Sequence, residues 1–412
     1  MRILHLAQFI PPLAGGEERH VWNLARKLAA RNHEVTLLGF ASGDAVPGVT
    51  HDEGVRVVRV RTAASKFPAL YSDPARPHAL PLPDPVVARA IRDELATGHF
   101  DVVHAHNWIV NSALGPVSRA GVPLVMTLHD YSHICPTKRL MEFDRHRCPG
   151  PSPKRCLPCA SALYGKLNGP VTLAANAWSA HRRARRLTDV AAVSSAVAHA
   201  VDIPAGNWLH SAALQAQVIP NFIPDEIVVD DIAPTLPDAP LLFAGDLSFD
   251  KGIPVLLDAY SRLQSPPELV LAGRMGTGAS WDFPPGARWL GVVNHDKVVE
   301  LFNSARVVVV PSVWSDPCPT VVLEAMAAGR PVAAAASGGI VDMVVDGTTG
   351  LLVPPGDAGA LADALASLLA DPAKALAFGA AGRDRAREFT VSAVVSRIET
   401  MYADAIEAYR SR

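Results

Sequence analysis

Short β-branched runs alternate with helix-compatible stretches along most of the chain. In the first half "MRILHLAQF", "EVTLLGF", "VRVVRV", "DVVHAH", "PLVMTLHD" and "DVAAVSS" read as strands, with helices predicted from Glu17 to about Ala30, near 86 to 96, and after Asn111. The second half repeats the rhythm with "PLLFAGD", "ELVLAGR", "RVVVVPS", "PVAAAA" and "GLLVPP", each followed by a stretch compatible with a helix. Between the halves, "VIPNFIPDEIVVDDIAPTLPDAP" is rich in proline and acid and keeps no period, as a linker should. This pattern predicts an α/β protein of two doubly wound, Rossmann-like domains facing each other across a cleft. The expected boundaries are 1–215, 216–390 and a last helix, 391–412, that packs back on the first domain.

Composition narrows the chemistry. A length of 412 residues with 49% hydrophobic positions supports two ordinary cores, and a net charge of −2 offers nucleic acid no global attraction. One basic cluster, "HRRARRL" at 181 to 187, reads as a solvated helix face, with peripheral membrane contact as the alternative. The N-terminal run is broken by Pro11 and Pro12 and reads as a buried strand rather than a signal peptide. No run of eighteen apolar residues occurs, so no transmembrane segment and a cytoplasmic location are expected.

Ligands of open parallel sheets bind beyond the carboxyl ends of the strands, so the residues there carry the candidate chemistry. Gly15 and Gly16 fall where strand one turns into helix one and let backbone N–H groups approach an anion; a simple tight turn is the plainer alternative. The G-x-G-x-x-G fingerprint of a nicotinamide site is absent there. "GDLSFDKG" offers Lys251 to a phosphate. In "SDPCPTVVLEAMAAGRPV", Asp316 is expected in a loop and Glu324 just past the first turn of a helix ending at Gly329. Pro319 suits the helix start, leaving the amides of Thr320 and Val321 to an anion, while Glu324 suits two neighbouring hydroxyls such as a ribose offers. A phosphate between two polyols describes a nucleotide sugar. The alternative makes Glu324 an exposed helix glutamate and Asp316 a cap.

Gly-Gly after strand one, "TLHD" at 127 to 130, "VIPNFI", "GDLSFDKG", "LAGR", "WLGVV" and the block from 311 to 356 together resemble family-4 glycosyltransferases of the GT-B fold over almost the whole chain. The resemblance implies that Glu324 and Asp316 are the two acids of an E-x7-E motif, holding the donor ribose and the donor sugar, with Asp316 one methylene short. Cys318 and Pro319 replace the aromatic-glycine pair usual there. Gly16 matches the loop near the donor phosphate, and Lys251 the diphosphate-binding lysine of a G-R-x4-K-G pattern whose arginine is here Asp246, with Arg274 a candidate replacement. Val292 and Val293 fall where the family reads the base, and His129 matches the histidine facing the transferred sugar, a satisfied core imidazole being the alternative. Implied activity is transfer from a nucleoside-diphosphate sugar to a hydroxyl of a glycan, lipid or natural product, with retained configuration and no catalytic cofactor.

"CPTKRLMEFDRHRCPGPSPKRCLPC" holds Cys135, Cys148, Cys156 and Cys159 in a C-x12-C-x7-C-x2-C pattern that suits a structural zinc, with disulfides or free thiols as rivals. Directly after His129, this segment is expected on the acceptor side, with Tyr131, His133 and Lys138 as candidate contacts. A nucleotide-sugar epimerase, a phosphorolytic enzyme and a catalytically silent sugar-nucleotide binder stay open beside transfer.

Overall fold

The computed structural model describes residues 1–10, 16–41, 45–67, 78–200, 216–232, 236, 238–276 and 278–411. The expectations for Pro11, Pro12 and Gly15, and part of the linker, lie outside the described residues. The chain divides into two compact units, one of residues 1–143, 148–220 and 394–412, the other of residues 144–147 and 221–393.

The first unit is built on strands β1 (Arg2–Ala7), β2 (Glu34–Phe40), β3 (Gly48–Asp52), β4 (Val55–Val60), β5 (Val102–His106) and β6 (Leu124–Leu128). Along the chain β7 (Met141–Glu142) follows, then β8 (His146–Arg147), which groups with the second unit, and then β9 (Asp189–Ala192) and β10 (Gln217–Val218) of the first. Its helices are α1 (Gly16–Ala30), α2 (Pro85–Thr97), α3 (Val110–Ala120), α4 (Pro153–Ala184) and α5 (Ser195–His199). The sheet runs β10-β9-β6-β5-β1-β2-β4-β3, parallel except where β3 pairs antiparallel with β4. β1 and β5 are buried on both faces, as helix-covered parallel strands are. From β1 the chain winds outward through β2 and β4, then returns to place β5 on the other side of β1, so the topological switch point lies between β1 and β5.

In the second unit β11 (Leu241–Ala244), β12 (Leu269–Ala272), β13 (Ala287–Trp289), β14 (Val307–Val310), β15 (Val332–Ala335) and β16 (Gly350–Val353) form one parallel sheet, ordered β13-β12-β11-β14-β15-β16. Helices α6 (Ile253–Ser261), α7 (His295–Ser304), α8 (Thr320–Ala327), α9 (Ile340–Met343), α10 (Ala358–Ala370) and α11 (Pro372–Ala386) cover it. Here the switch point lies between β11 and β14. Among the described residues β12 leads into β13 rather than into a helix, a departure from the predicted alternation.

The last helix, α12 (Val391–Arg410), groups from Val394 onward with the first unit, where Glu399 binds Arg31 and His33 and the Tyr402 hydroxyl lies 2.7 Å from His104 Nδ1. Among the described residues no single helix is long and apolar enough to cross a membrane. The bent pair α10–α11 approaches that composition because Leu361, Leu365 and Leu368 fill the core of the second unit.

Candidate functional site

In the second unit three loops meet at the switch point. Gly252, the residue before α6, has φ +79°, and a Cβ there would stand 2.0 Å from the carbonyl oxygen of Pro311. Only glycine allows this approach, which lays the loop after β11 against the loop after β14. Val313 N–H donates to the Asp250 carbonyl at 3.0 Å and continues the seam. Lys251 is thereby carried to Asp316: its Nζ stands 2.5 Å from Asp316 Oδ2 and 5.2 Å from the centre of the Trp314 ring.

The third loop, after β15, fixes Asp316 from behind. Gly338 has φ +58° and lies so close that a Cβ would fall 2.1 Å from the Asp316 carbonyl oxygen, which accepts from Gly339 N–H at 2.7 Å. Ser337 Oγ donates to the Trp314 carbonyl. Asn221 Nδ2 donates to the Cys318 carbonyl at 3.3 Å, giving the "VIPNFI" segment a role in holding the turn. Cys318 is buried, and burial pushes its thiol up to about 12, so it packs as a small apolar group.

α8 begins directly after this turn. Pro319 is its N-cap and supplies no side-chain acceptor; Val322 N–H turns back to the Pro319 carbonyl at 3.1 Å, which leaves the N–H groups of Thr320 and Val321 to present the helix dipole. Val322, Leu323, Ala325, Met326 and Ala327 are completely buried, and Glu324 in their midst is only 8% exposed. That burial excludes an ordinary surface glutamate. Asp316, 5% exposed and three residues before the cap, is not a helix cap either.

Arg274 stands 3.0 Å from Asp246, with both side chains about half exposed, so the predicted replacement cation neutralises the very acid that displaced the expected arginine. A different cation reaches the turn: Arg147, which groups with this unit, donates from Nη2 to Ser315 Oγ at 3.0 Å and to Ser337 Oγ at 3.2 Å. Sequence reasoning did not single it out. Val292, at 74%, is exposed in the loop after β13, and Val293 follows it.

In the first unit the residues at the switch point also converge. Gly16 opens α1, and Glu17 next to it accepts from Asn107 Nδ2 at 2.8 Å and from Gln8 Nε2 at 3.3 Å. Asn107, just after β5, holds φ +56° and uses the other end of its amide to accept His129 N–H at 3.1 Å. His129 Nε2 lies 2.9 Å from His106 Nδ1, and the His20 ring centre is 4.9 Å from that of His129. Burial, with Glu18 and Asp130 nearby, raises the Glu17 carboxyl to about 8, against the opposing charge of Lys138. Glu17 and Asn107 were missed because neither carries a motif.

A line of buried rings continues inward. His106 Nε2 meets His5 Nδ1 at 3.3 Å, His5 Nε2 meets the Tyr402 hydroxyl at 3.4 Å, and His104 joins that hydroxyl to Thr127. Burial lowers His5 to about 3 and holds His104 and His106 well below their ordinary value. Ring nitrogens of His5, His104 and His106 lie within 4.8 Å of one another, but they are engaged with one another, Thr127 and Tyr402, which makes them a hydrogen-bonded core.

Of the acceptor-side candidates, Lys138 lies over the Trp108 ring at 4.5 Å, with φ +69°. Tyr131 and His133 are 1% and 5% exposed, and burial beside Arg183 lowers His133 to about 3. They belong to the interior wall.

The structure gives the zinc expectation for Cys135, Cys148, Cys156 and Cys159 no support. All are free thiols, and among the described residues no three of them bring their sulfurs within the 4.8 Å that groups the histidines. Local bonds order the loop instead. Cys135 Sγ lies 3.2 Å from Thr137 Oγ1, Cys148 Sγ donates to Gly150 O at 3.4 Å, and Cys159 Sγ donates to Met141 O at 3.5 Å. Burial raises the Cys156 thiol to about 12.

Two sheets with their polar residues gathered at the switch points match the expected GT-B class, and comparison with known proteins decides the family. Residues 14–226 match the model for Glycosyltransferase Family 4, and residues 239–371 that for Glycosyl transferases group 1. The chain belongs to this glycosyltransferase family. It is 30% identical over 424 residues to a D-inositol 3-phosphate glycosyltransferase of Kribbella flavida, covering 95% of this glycosyltransferase and 93% of that one. It is 28% identical over 410 residues to a glycogen synthase of Mycobacterium tuberculosis, covering 93% and 90%. Among solved structures, sucrose-phosphate synthase from Thermosynechococcus elongatus is similar in fold, with TM-score 0.74, 22% identity and coverage of 99% and 100%. Anabaena HepE in complex with UDP and glucose is similar with TM-score 0.67, 19% identity and coverage of 98% and 99%.

Proposed function

We propose that this glycosyltransferase takes a hexose from a uridine-diphosphate sugar and passes it, with configuration retained, to a hydroxyl of a glycan, lipid or natural product. The observation that carries the reading is the Lys251–Asp316 pair at the switch point of the second unit, beside the uncapped start of α8 and one turn from buried Glu324. Solved neighbours add support, since HepE was crystallised with UDP-glucose and a trehalose-6-phosphate enzyme of E. coli with UDP-2-fluoro glucose.

In this reading the diphosphate takes the first-turn amides of α8, including Thr320 and Val321, together with Lys251. Those donors gain strength as charge builds on the leaving group, which is the condition for accelerating its departure. Glu324 accepts from the ribose hydroxyls, Asp316 faces the sugar, and Val292 and Val293 contact the base. Arg274 keeps Asp246 from repelling the diphosphate. The departing phosphate oxygen takes the proton of the incoming hydroxyl, and the reaction needs no catalytic cofactor. Lys138 stands on the acceptor side.

The test is release of nucleoside diphosphate from a panel of sugar nucleotides, with the anomer of the product read by NMR. Loss of a charged hydrogen bond in Glu324→Gln should weaken donor binding about tenfold to a hundredfold. Unchanged binding in that variant sinks the assignment of Glu324, and an inverted product sinks retention. Isomerised sugar nucleotide without diphosphate release would make the protein an epimerase, and binding without turnover a silent binder.

A further inference from the structure

α4 is not one continuous helix. Gly165 (φ 87°, ψ 163°) breaks it, and the second segment carries an unusual surface. Leu173, Ala175, Asn176, Ser179, Ala180 and Arg183 turn inward, with Asn176 and Arg183 bonded to each other at 3.4 Å. On the outward side Leu167, Val171, Ala174 and Trp178 follow one another at spacings of four, three and four, which is one helical stripe. Leu167 is 85% exposed, Val171 59% and Trp178 50%, so among the described residues the stripe is left largely uncovered. Adding four and then three residues brings the same stripe to Arg182 and Arg185, and the Arg182 guanidinium lies over the Trp178 ring at 4.5 Å.

Charge says what this face meets. No Asp or Glu occurs from Arg145 to Thr188, whereas Lys154, Arg155, Lys166, Arg182, Arg185 and Arg186 do. In a chain with net charge −2, a stretch this long without acid is a local cationic surface, which disfavours a second copy of the same helix as occupant. An apolar stripe with a tryptophan, continuing into arginines, fits the boundary between acyl chains and headgroups.

We infer that the outward face of α4 from Lys166 to Arg186 docks this glycosyltransferase on an anionic lipid bilayer. The stripe enters the interface, and Lys166, Arg182, Arg185 and Arg186 stand at headgroup level. This goes beyond the donor reading and does not depend on it. The basic cluster is thus partly interior, through Arg183, and partly lipid-facing.

The experiment is co-sedimentation of the full chain with vesicles of phosphatidylcholine alone and of phosphatidylcholine with phosphatidylglycerol. The protein should partition onto the anionic vesicles and leave them as salt rises from about 0.05 M to about 0.5 M. Arg182→Gln with Arg185→Gln should weaken partition by roughly tenfold or more, and Leu167→Ser with Val171→Ser should weaken it at either salt concentration. Unchanged melting temperatures would show that these variants fold. No partition onto anionic vesicles overturns the inference, as does partition indifferent to both pairs of substitutions. A dimer that Leu167→Ser dissociates in the ultracentrifuge also overturns it, by giving the stripe another occupant.

Discussion

Asn107 occupies a left-handed backbone conformation, φ +56°, which a residue with a Cβ adopts at a cost of order 1 kcal/mol or more. It offsets that cost with both ends of its amide, one on Glu17 and one on the backbone of His129. Its bond to Glu17 favours the charged carboxylate and so restrains a pKa that burial drives up. Asn107→Ala should therefore push the Glu17 titration above about 8 and lower kcat about tenfold or more, with the donor KM changed less. NMR titration of the Glu17 carboxyl checks the first, steady-state kinetics the second; an unmoved titration would show that Asn107 does not hold the acid. Glu324 was legible in the sequence because a proline, a turn and a helix pattern surround it. Glu17 was not, because its partners Asn107 and Lys138 are residues that only the folded sheet brings to it.

At the scale of elements, the site in the second unit is a seam of three loops. The strands before them could be read directly from their apolar runs, whereas the seam depends on glycines whose task is set by a neighbour far along the chain. Gly338→Ala would force a Cβ onto the Asp316 carbonyl from a backbone that alanine disfavours. It should cost more than about 2 kcal/mol of stability and displace the Asp316 turn. Thermal unfolding measures the first effect and donor binding the second; a variant with wild-type values in both would mean the loops are not coupled. The cysteine loop shows the limit of spacing arguments. Its sequence pattern suited four thiolates, but the β7–β8 hairpin and the Ser152 cap of α4 order it by other means.

For the molecule as a whole, the buried histidines govern the response to acid. Burial lowers His5 and His133 to about 3 and His78 to about 2, and it holds His20, His104 and His106 well below 6.5. As pH falls below about 6.5 the unfolded chain takes up protons at these positions and the native state does not, so stability present above that pH is lost. Glu17 works in the other direction, because between about 8 and 4.5 its native form keeps a proton that the unfolded chain has released. Burial raises Asp130 and Asp189 in the same sense as Glu17, and the six histidines outweigh these three acids, at about 1.4 kcal/mol per pH unit for each proton. The melting temperature should fall steeply from pH 6.5 to 5, and one that stayed flat to pH 4 would show that the histidines are not buried as neutral rings.

The sequence by itself determined the α/β alternation, the two sheets, the turn before α8 and the family, because each follows from local periodicity or from residues contiguous in the chain. Tertiary structure alone decided that Lys251 meets Asp316, that Arg274 answers Asp246, and that Glu17 is buried and bonded to Asn107. The order of strands sets which loops become neighbours at a switch point, and a pairing across such a point leaves no period in the chain for a reader to find.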